Sequence, residues 1–405
     1  MTQEQTLQHF VENVLDTNRS IVLLALETLF ENHREELVEE FLDSFRHICR
    51  NIHELQLLGG KEKIAYLTYS MLRTEIASGR FAYLVEASDS NWFLDRSPYQ
   101  DEYVADWAMN SFMLLEEELE KGSQQYTAVI TRIKLEKLLL KETHYMNTYV
   151  ASLIRYAMPR AVKLPEFQAL RLEDEFEVRV GEYLDKSESV YKVDKQIRNP
   201  DDVREWLNEK NENEYAYESI NDLDLSDGDY GSIDFRYTSF SYNNLSRSRF
   251  NRCILVGTRW EGSMLEATDF SESLLVGADF SGCQLQGAKF RNVEGIGVRP
   301  ESMILFVPGA APLNFQNAKL NGADITESFL PGTDFTGADL AGADFRGSLL
   351  NNAIFTGADL TDTNFTGASM DGALFSKETA GLLTLDDEQK KVIYVVWPTE
   401  EGDRE

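Results

Sequence analysis

Residues 338–347 read ADLAG-ADFRG, two copies of a five-residue unit that contains a small residue, an Asp and a large apolar residue. The unit extends in both directions, since every fifth residue is large and apolar from Ile220 to Phe290 and again from Phe315 to Phe375, 28 positions in all. A small residue usually precedes each centre by two positions, and glycine often follows it by two. A period of five fits neither a helix nor a strand. It predicts a square coil in which each unit forms one wall and the large and small residues point inward.

This pattern resembles the pentapeptide-repeat family, whose motif is A-(D/N)-(L/F)-x-x. The motif is matched directly by Ala338-Asp339-Leu340, Ala343-Asp344-Phe345 and Ala358-Asp359-Leu360. The resemblance covers residues 220–375 and implies a right-handed quadrilateral β-helix with four pentapeptides per coil. The 28 repeats then form about seven coils, stacked at about 4.8 Å into a rod of roughly 34 Å.

The motif is interrupted at residues 291–314. The spacing from Phe290 to Phe315 exceeds one unit by four further units, the length of one whole coil. The segment is either a loop outside the rod, with the apolar residues Ile304 and Phe306 as contact elements, or a degenerate coil. In both cases a whole turn is added, so residue numbers modulo 20 assign side chains to walls on both sides of the interruption.

The rest of the chain predicts an α+β multidomain protein. We expect an acidic α-helical domain at residues 1–157, a linker or small mixed segment at 158–219, the solenoid at 220–375 and a C-terminal cap and tail at 376–405. Apolar periodicity and cap residues predict the individual elements. Helices are expected at Ser20–Leu58, Glu62–Ala77, Gln100–Lys121, Tyr126–Tyr156, Asp201–Asn211 and Leu382–Lys391, and strands at Phe176–Tyr183 and Val392–Trp397, with a break bracketed by Pro159 and Pro165.

The formal net charge of the 405 residues is −30. Such a charge repels nucleic acid and anionic lipid, so we expect neither as a direct partner. The first residues lack the features of a signal peptide, and apolar runs are too short to span a bilayer. Only three cysteines occur, without paired spacing, which fits a reducing cytoplasm.

The charges of the solenoid divide along its length. Residues 315–375 hold eight acids and two bases, whereas residues 230–260 hold one acid and five bases. The modulo-20 assignment predicts an acidic corner on two adjacent walls, formed by Asp324 and Asp344 on one and Asp279, Asp339 and Asp359 on the other. The bases predict a basic patch formed by Arg236, Arg247, Arg249, Arg252 and Arg259.

The sequence contains no motif of a catalytic, nucleotide or cofactor site. Cys49 and His53 are four apart on one helix face, but two ligands do not make a metal site. Cys253 and Cys283 occupy the inward small-residue position and are expected to fill the core on opposite walls. We therefore expect no enzyme activity, no cofactor and no metal.

Three functions remain open. The first is a non-enzymatic scaffold for protein–protein interaction, with unidentified protein partners or with a second copy in a homodimer. The second is a DNA mimic that modulates DNA gyrase or topoisomerase IV, which the resemblance to quinolone-resistance pentapeptide proteins implies. The third is an effector or injection-system component that carries a repeat module. An enzyme site in the helical domain has no motif in its support.

Overall fold

The computed structural model describes residues 2–76, 78–212, 214–295, 307–380 and 385–396. The chain divides into two compact units, Met1–Gln196 and Ile197–Glu405. This division differs from the boundaries expected at residues 157 and 219, because strands that complete the first unit lie beyond residue 157. Among the described helices, none is both long and apolar enough to cross a membrane.

The described residues of the first unit form three long α-helices and three short ones. They are α1 (Gln3–Phe10), α2 (Asp16–Leu57), α3 (Arg73–Ile76), α4 (Asp106–Ser123), α5 (Arg132–Ala161) and α6 (Pro165–Gln168). The helix predicted at Ser20–Leu58 is confirmed as α2, and its buried residues recur every three or four positions from Val22 to Gln56. The break predicted between Pro159 and Pro165 is confirmed, since α5 continues through Pro159 to its end at Ala161 and α6 begins at Pro165.

A five-stranded sheet shares one hydrophobic core with these helices. Its strands are β1 (Ile64–Met71), β2 (Ala82–Ser88), β3 (Tyr99–Val104), β4 (Leu172–Glu182) and β5 (Ser187–Asp194). Their order is β3-β2-β1-β4-β5; β1 and β4 are parallel, and the other neighbours are antiparallel. The expectation of an all-helical first domain is therefore wrong.

The helix predicted at Glu62–Ala77 is strand β1 in the structure. Leu67, Tyr69 and Met71 alternate along the strand and are buried in the core, and Thr68 on the other face is also buried. The segment is rich in Ile, Tyr and Thr, which favour strands. The helix predicted at Gln100–Lys121 likewise begins as β3 and becomes helical only in α4.

A buried ion pair holds the loop between β2 and β3. The Lys61 ammonium donates to the Asp95 carboxylate, and both side chains are only 5% exposed. Asp95 also accepts the backbone N–H groups of Asp89 and Ser97, each at 2.9 Å. Burial alone raises the pKa of Asp95, but the hydrogen bonds from Lys61 and the backbone bring this pKa below its usual value. The pair therefore fixes a loop in which Trp92 has a left-handed φ of 50°.

The second unit is a solenoid whose coils are joined by parallel bridges between residues 20 apart. The bridges begin at Ser219–Ser239 and end at Ile354–Leu374. Each coil therefore holds four pentapeptides and has four faces, and the β-solenoid predicted from the repeat is confirmed.

The faces are numbered here by their inward-pointing central residues. Face 1 contains Ile220, Phe240, Trp260, Phe280, Phe315, Phe335, Phe355 and Phe375. Face 2 contains Leu225, Leu245, Leu265, Leu285, Leu320, Leu340 and Leu360. Face 3 contains Tyr230, Phe250, Phe270, Phe290, Ile325, Phe345 and Phe365, and face 4 contains Phe235, Leu255, Leu275, Gly295, Leu330, Leu350 and Met370. The centres are buried in both halves of the solenoid.

Aromatic rings from faces 1 and 3 fill most of the interior. Along face 1 the rings stack, for example Phe335 on Phe355 with centroids 5.0 Å apart. Rings of faces 1 and 3 meet edge to face, as Phe335 and Phe345 do at 5.5 Å and 88°. Aromatic pairs in these geometries contribute about 0.5–1.5 kcal/mol beyond the burial of their area. The alternation of Phe and Leu in the sequence thus gives a core with two aromatic and two aliphatic sides.

The inward small residues also bond adjacent coils. The Ser348 hydroxyl donates to the carbonyl of Ile325 at 2.6 Å, and the same bond spans 23 residues elsewhere in the solenoid. The thiol of Cys253 makes this bond to Tyr230 at 3.1 Å, and the thiol of Cys283 makes it to Trp260. Both cysteines are buried and free, which confirms that they fill the core.

The interruption of the repeat is an insertion of three pentapeptide lengths into the stack. Asp279 bridges Asn314, at a sequence separation of 35 instead of the usual 20. The rings of Phe280 and Phe315 stack with centroids 5.2 Å apart, so the aromatic column of face 1 continues directly past the insertion. The coils on its two sides pair with each other directly, and the choice between a loop and a degenerate coil falls on residues outside the described ones. Residues 296–306 lie outside the described residues.

Both ends of the solenoid are packed by further elements. At the first end, α7 (Pro200–Asn208) places Val203 and Leu207 in the core. At the other end, β6 (Leu374–Ser376) pairs with β7 (Tyr394–Val396), and α8 (Lys377–Ala380) and α9 (Gln389–Val392) lie between them in sequence. The Gln389 amide donates to the carbonyls of Phe365 and Ala368, at 2.8 and 3.0 Å. The ladder thus continues for one rung past the repeats.

Candidate interaction surfaces of the solenoid

The turns between faces divide the solenoid into two parts. In each turn the second residue after the centre has a positive φ, close to +60°. Glycine occupies most of these positions from Gly257 onward, but none of the seven turns from Asp222 to Arg252. A residue with a Cβ costs roughly 1–2 kcal/mol more than glycine in this conformation. The first coils therefore contain side chains at positions where glycine would be more stable.

Three tyrosines occupy such positions beside face 1. Tyr217 and Tyr237 lie in the turn before this face and Tyr242 in the turn after it, with φ of 65°, 61° and 60°. The ring of Tyr237 covers Gly257 of the next coil so closely that a Cβ there would lie 2.4 Å from the ring. Tyr242 covers Gly262 in the same way and remains 57% exposed. The tyrosines border face 1 on both sides.

The surface between these tyrosines is formed mainly by small polar side chains. The Ser239 hydroxyl donates to the Asn221 side chain at 3.0 Å, and the Ser241 backbone N–H donates to the same oxygen at 2.8 Å. Arg259 forms a parallel bridge with Ser239 and lies on the same face, one coil further along the solenoid. Glu261 raises the pKa of the Tyr242 phenol through its charge. We call this surface the tyrosine face; it consists of Tyr217, Tyr237, Tyr242, Asn221, Ser239, Ser241 and Arg259.

Face 3 has charges that alternate from coil to coil. We call the successive coils bands 1 to 6. Band 1 has Asp227 and Asp229; band 2 has Arg247, Arg249 and Arg252; band 3 has Asp269 and Glu272; band 4 has Lys289 and Arg291; band 5 has Asp324 and Glu327; band 6 has Asp344 and Arg346. The first five bands are therefore alternately negative and positive, about 4.8 Å apart.

Ion pairs join these bands along the rod. Arg247 binds Asp227 at 2.7 Å, Arg249 binds Asp229 at 2.6 Å, and Arg252 binds Glu272 at 2.8 Å. Arg291 pairs with Asp324 across the insertion. The hydrogen bond from Arg247 is the main cause that lowers the pKa of Asp227, and Arg252 acts in the same way on Glu272.

The five arginines of the predicted basic patch do not form one patch. Arg247, Arg249 and Arg252 lie on face 3, Arg259 lies on face 1, and Arg236 lies in the turn between faces 4 and 1, paired with Asp234 at 2.6 Å. The count over residues 230–260 omitted the carboxylates of neighbouring coils, which lie 20 positions away in sequence and next to the arginines in space.

The acidic corner also differs from the expectation. Asp339 and Asp359 share face 2, and Asp324 and Asp344 share face 3, as predicted. Asp279 lies on face 1, where it precedes Asn314, so its assignment to the wall of Asp339 and Asp359 is wrong. The insertion equals three pentapeptides instead of the expected four, which shifts every modulo-20 assignment across the interruption by one face.

The acids of this corner are bonded locally. Arg346 binds Asp344 at 2.7 Å. Asp359 accepts the hydroxyl and the backbone N–H of Thr361, and these bonds lower its pKa. Burial alone raises the pKa of Asp324, but bonds from Thr326 and Arg291 lower it overall.

An open polar recess of about 470 Å³ lies over bands 1 to 3. Its lining consists of Lys210, Asp229, Gly231, Ser232, Arg249, Asn251 and Asp269. The Lys210 ammonium donates to the Gly231 carbonyl at 2.9 Å, and Arg249 pairs with Asp229 at 2.6 Å, so these charged groups of the recess are bonded within the protein.

The other residues singled out by sequence do not form a site. Cys49 is buried, and burial raises the pKa of its thiol well above the usual range. Within the described parts of the chain, no three His, Cys, Asp or Glu side chains are grouped as a metal ion would require. Ile304 and Phe306, proposed as contact elements of the loop, lie outside the described residues.

The geometry defines the second unit as a parallel β-solenoid of five-residue units, four to a coil. The family model for pentapeptide repeats matches it in eight copies, at residues 244–282, 253–292, 314–352 and 338–376. The second unit therefore contains pentapeptide repeats, and the first unit lies outside that match.

Solved pentapeptide-repeat structures are similar to part of the chain. Full-length QnrB1, a plasmid-mediated fluoroquinolone resistance protein, is 22% identical over 46% of this chain and 87% of its own, with a TM-score of 0.33. HetL, which is involved in heterocyst differentiation regulation in the cyanobacterium Nostoc sp. strain PCC 7120, is 20% identical over 45% and 84%, with a TM-score of 0.30. A pentapeptide repeat protein from the Arabidopsis thaliana thylakoid lumen is 27% identical over 33% and 79%, with a TM-score of 0.18. None of the curated proteins matches the chain.

Proposed function

We propose that the protein is a non-enzymatic scaffold that binds a protein partner through the tyrosine face, in a reducing cytoplasm. The observation that carries this proposal is the presence of Tyr217, Tyr237 and Tyr242 at left-handed turn positions. The supporting rod is a right-handed, four-sided coil in this proposal, as its motif implies.

Backbone strain supports a role in binding. Glycine at residues 237 and 242 would remove a cost of roughly 1–2 kcal/mol each, and glycine fills the equivalent turns in the next coil, at Gly257 and Gly262. Strained residues persist where the side chain has a use that the more stable residue does not supply. Tyr242 is exposed, whereas Tyr217 and Tyr237 are half-buried with ring centroids 5.3 Å apart, and none of the three rings lies in the core of the solenoid.

The composition of the tyrosine face supports a protein as the partner. Tyrosine and arginine are enriched at interface hot spots, and tyrosine, serine and asparagine dominate surfaces selected for protein recognition. A tyrosine ring contributes a large contact area with few rotatable bonds, and its hydroxyl donates a hydrogen bond at the rim. The solenoid holds the three rings in fixed positions.

The test is affinity purification from the source organism with the intact chain as bait. The variant Tyr237→Gly/Tyr242→Gly removes both rings and places in each turn the residue that fits it best. The matched control is Asn352→Gly/Asn317→Gly, because these residues occupy the same two turn columns in later coils and also lean on a glycine of the next coil. We expect proteins enriched by the wild type to be lost with the tyrosine variant and kept with the control. Equal recovery with all three baits would refute the tyrosine face.

A second candidate is modulation of DNA gyrase or topoisomerase IV by mimicry of DNA. The observation that favours it is the carboxylate pair Asp339 and Asp359, on successive rungs of face 2. In this case Asp339→Asn/Asp359→Asn would abolish an effect of the protein on gyrase supercoiling. Supercoiling that is unchanged by micromolar wild-type protein would exclude this candidate.

A further inference from the structure

The alternating charges of face 3 form a pattern that is complementary to itself. Bands 2 and 4 are positive and bands 1, 3 and 5 are negative, and the outer arginines are well exposed, Arg247 by 63% and Arg291 by 56%. The intramolecular ion pairs run along the rod, between coils of the same chain. The outward sides of these charged groups therefore remain available to a second surface whose charges have the same spacing.

We propose that face 3 is a self-association surface on which a second copy of this chain docks antiparallel. A two-fold axis between bands 3 and 4 places band 2 opposite band 5 of the other copy, and band 3 opposite band 4. Arg247, Arg249 and Arg252 then face Asp324 and Glu327, and Asp269 and Glu272 face Lys289 and Arg291. All four central bands thus meet a band of opposite sign.

Other registers are disfavoured by the same pattern. With the axis through band 3, band 2 faces band 4 and both are positive. Parallel docking without a shift places every band opposite its own copy. Like charges in direct opposition weaken association strongly, so the alternation restricts the axis to positions between bands. An axis between bands 2 and 3, or between bands 4 and 5, brings only four of the named bands into contact, whereas the axis between bands 3 and 4 brings all six into contact. The equal spacing of the coils in both copies keeps this register over the whole contact.

The interface lies on the opposite side of the solenoid from the tyrosine face. Self-association is therefore independent of the proposed partner binding, and the two proposals fail separately. The surface is charged, so exposed pairs contribute to specificity more than to affinity, and salt screens them. We accordingly expect a dimer that forms at low salt and dissociates at high salt.

The first experiment is analytical ultracentrifugation of the full chain at 20 mM and 500 mM NaCl. We expect a salt-dependent monomer–dimer equilibrium, with a dissociation constant at least about tenfold higher in the high-salt buffer. A wild type that stays monomeric at 20 mM NaCl and about 100 μM protein would overturn the proposal without any variant.

The second experiment exchanges charges. Lys289→Glu reverses a charge in band 4, and Glu272→Lys reverses one in band 3. The two-fold axis makes the contact between bands 3 and 4 twice in each dimer. In a dimer of either variant, the reversed charge faces a charge of the same sign at both contacts, so we expect each variant alone to be monomeric. When the two variants are mixed, charges of opposite sign face each other at both contacts, so we expect a heterodimer.

The control is Lys319→Glu, the same charge change at the same motif position on face 2. This variant should dimerise as the wild type does. If Lys289→Glu dimerises equally well, or if the mixture of reversed variants stays monomeric, face 3 is not the interface. If Lys319→Glu also abolishes the dimer, net charge and not face 3 controls association. Circular dichroism melting of each variant separates these outcomes from loss of folding.

Discussion

The contact between Tyr237 and Gly257 gives a quantitative test of how adjacent coils pack. Gly257 and Gly282 have nearly the same φ, 62° and 66°. A Cβ added at Gly282 meets no heavy atom within 4 Å, whereas one added at Gly257 would lie 2.4 and 2.6 Å from two ring carbons of Tyr237. The two glycines therefore share the conformational requirement and differ in the steric one.

This difference fixes the expected magnitudes. Gly282→Ala should lower the free energy of unfolding by roughly 1–2 kcal/mol, the cost of a left-handed alanine. Gly257→Ala should lower the free energy of unfolding by this conformational cost plus about 1–3 kcal/mol, because the ring of Tyr237 must also move. In the background Tyr237→Gly, the extra cost at residue 257 should disappear, as a double-mutant cycle would show.

The assay is hydrogen–deuterium exchange in a urea series, read on peptides from residues 250–290. Local exchange is needed because a chain with two compact units does not unfold in one transition. Equal destabilisation by Gly257→Ala and Gly282→Ala would refute the packing described here, and so would an extra cost that persists after removal of the Tyr237 ring.

Three further predictions concern both units. Lys61→Met should destabilise the first unit by about 3–5 kcal/mol in thermal unfolding, because it leaves Asp95 buried and unpaired. Phe335→Ala should cost the solenoid about 3–5 kcal/mol in chemical denaturation, since this ring contacts stacked rings on both sides. The ion pair with Arg247 lowers the pKa of Asp227 in the folded protein. The pair therefore stabilises the fold fully above about pH 4, the ordinary range of an Asp pKa, and this stabilisation is lost as the pH falls through the folded-state pKa.

Each of these predictions has a contradicting result. A Lys61→Met variant as stable as the wild type would show that Asp95 is solvated. A Phe335→Ala variant that loses less than about 1 kcal/mol would mean that the aromatic column relaxes around the gap. If the stability of an Asp227→Asn variant falls with acid as steeply as that of the wild type, Asp227 does not contribute to the pH dependence of stability.

The repeat made the solenoid predictable because each inward position imposes a size on its residue. Every fifth residue fills the interior, and the ladder then follows from stacking of equal coils. The interruption was predicted less well, since Gly295 still occupies a centre of face 4 and its backbone N–H bonds to the carbonyl of Phe329 at 2.8 Å. An apolar-centre rule cannot recognise a glycine centre, and the insertion was therefore taken for the length of a whole coil.

The ion pairs between adjacent coils were the part of the candidate surfaces that could not be predicted from the sequence. Arg252 and Glu272 are neighbours in space, but a count over residues 230–260 includes the arginine and omits the glutamate. In the first unit, β1 was taken for a helix because Ile64, Leu67 and Met71 fit helical spacing. Leu67, Tyr69 and Met71 fit the alternation of a strand, and the choice between the two depends on the pairing of β1 with β2 and β4. Such long-range pairing is not encoded in a local window.

Every face that is followed from the first half of the solenoid into the second depends on the register across the insertion, and one measurement tests that register directly. In the variant Asp279→Cys/Asn314→Cys, two outward positions on adjacent rungs of face 1 carry thiols, while the three native cysteines are buried. Bridged residues on neighbouring strands are close enough for a disulfide, which needs Cα atoms about 4.4–6.8 Å apart. We predict that mild oxidation links residues 279 and 314, seen by mass spectrometry of unreduced peptides, and that Asp279→Cys/Lys319→Cys stays unlinked. Failure of the 279–314 link, or a link between 279 and 319, would contradict the register and with it the order of the charged bands on face 3.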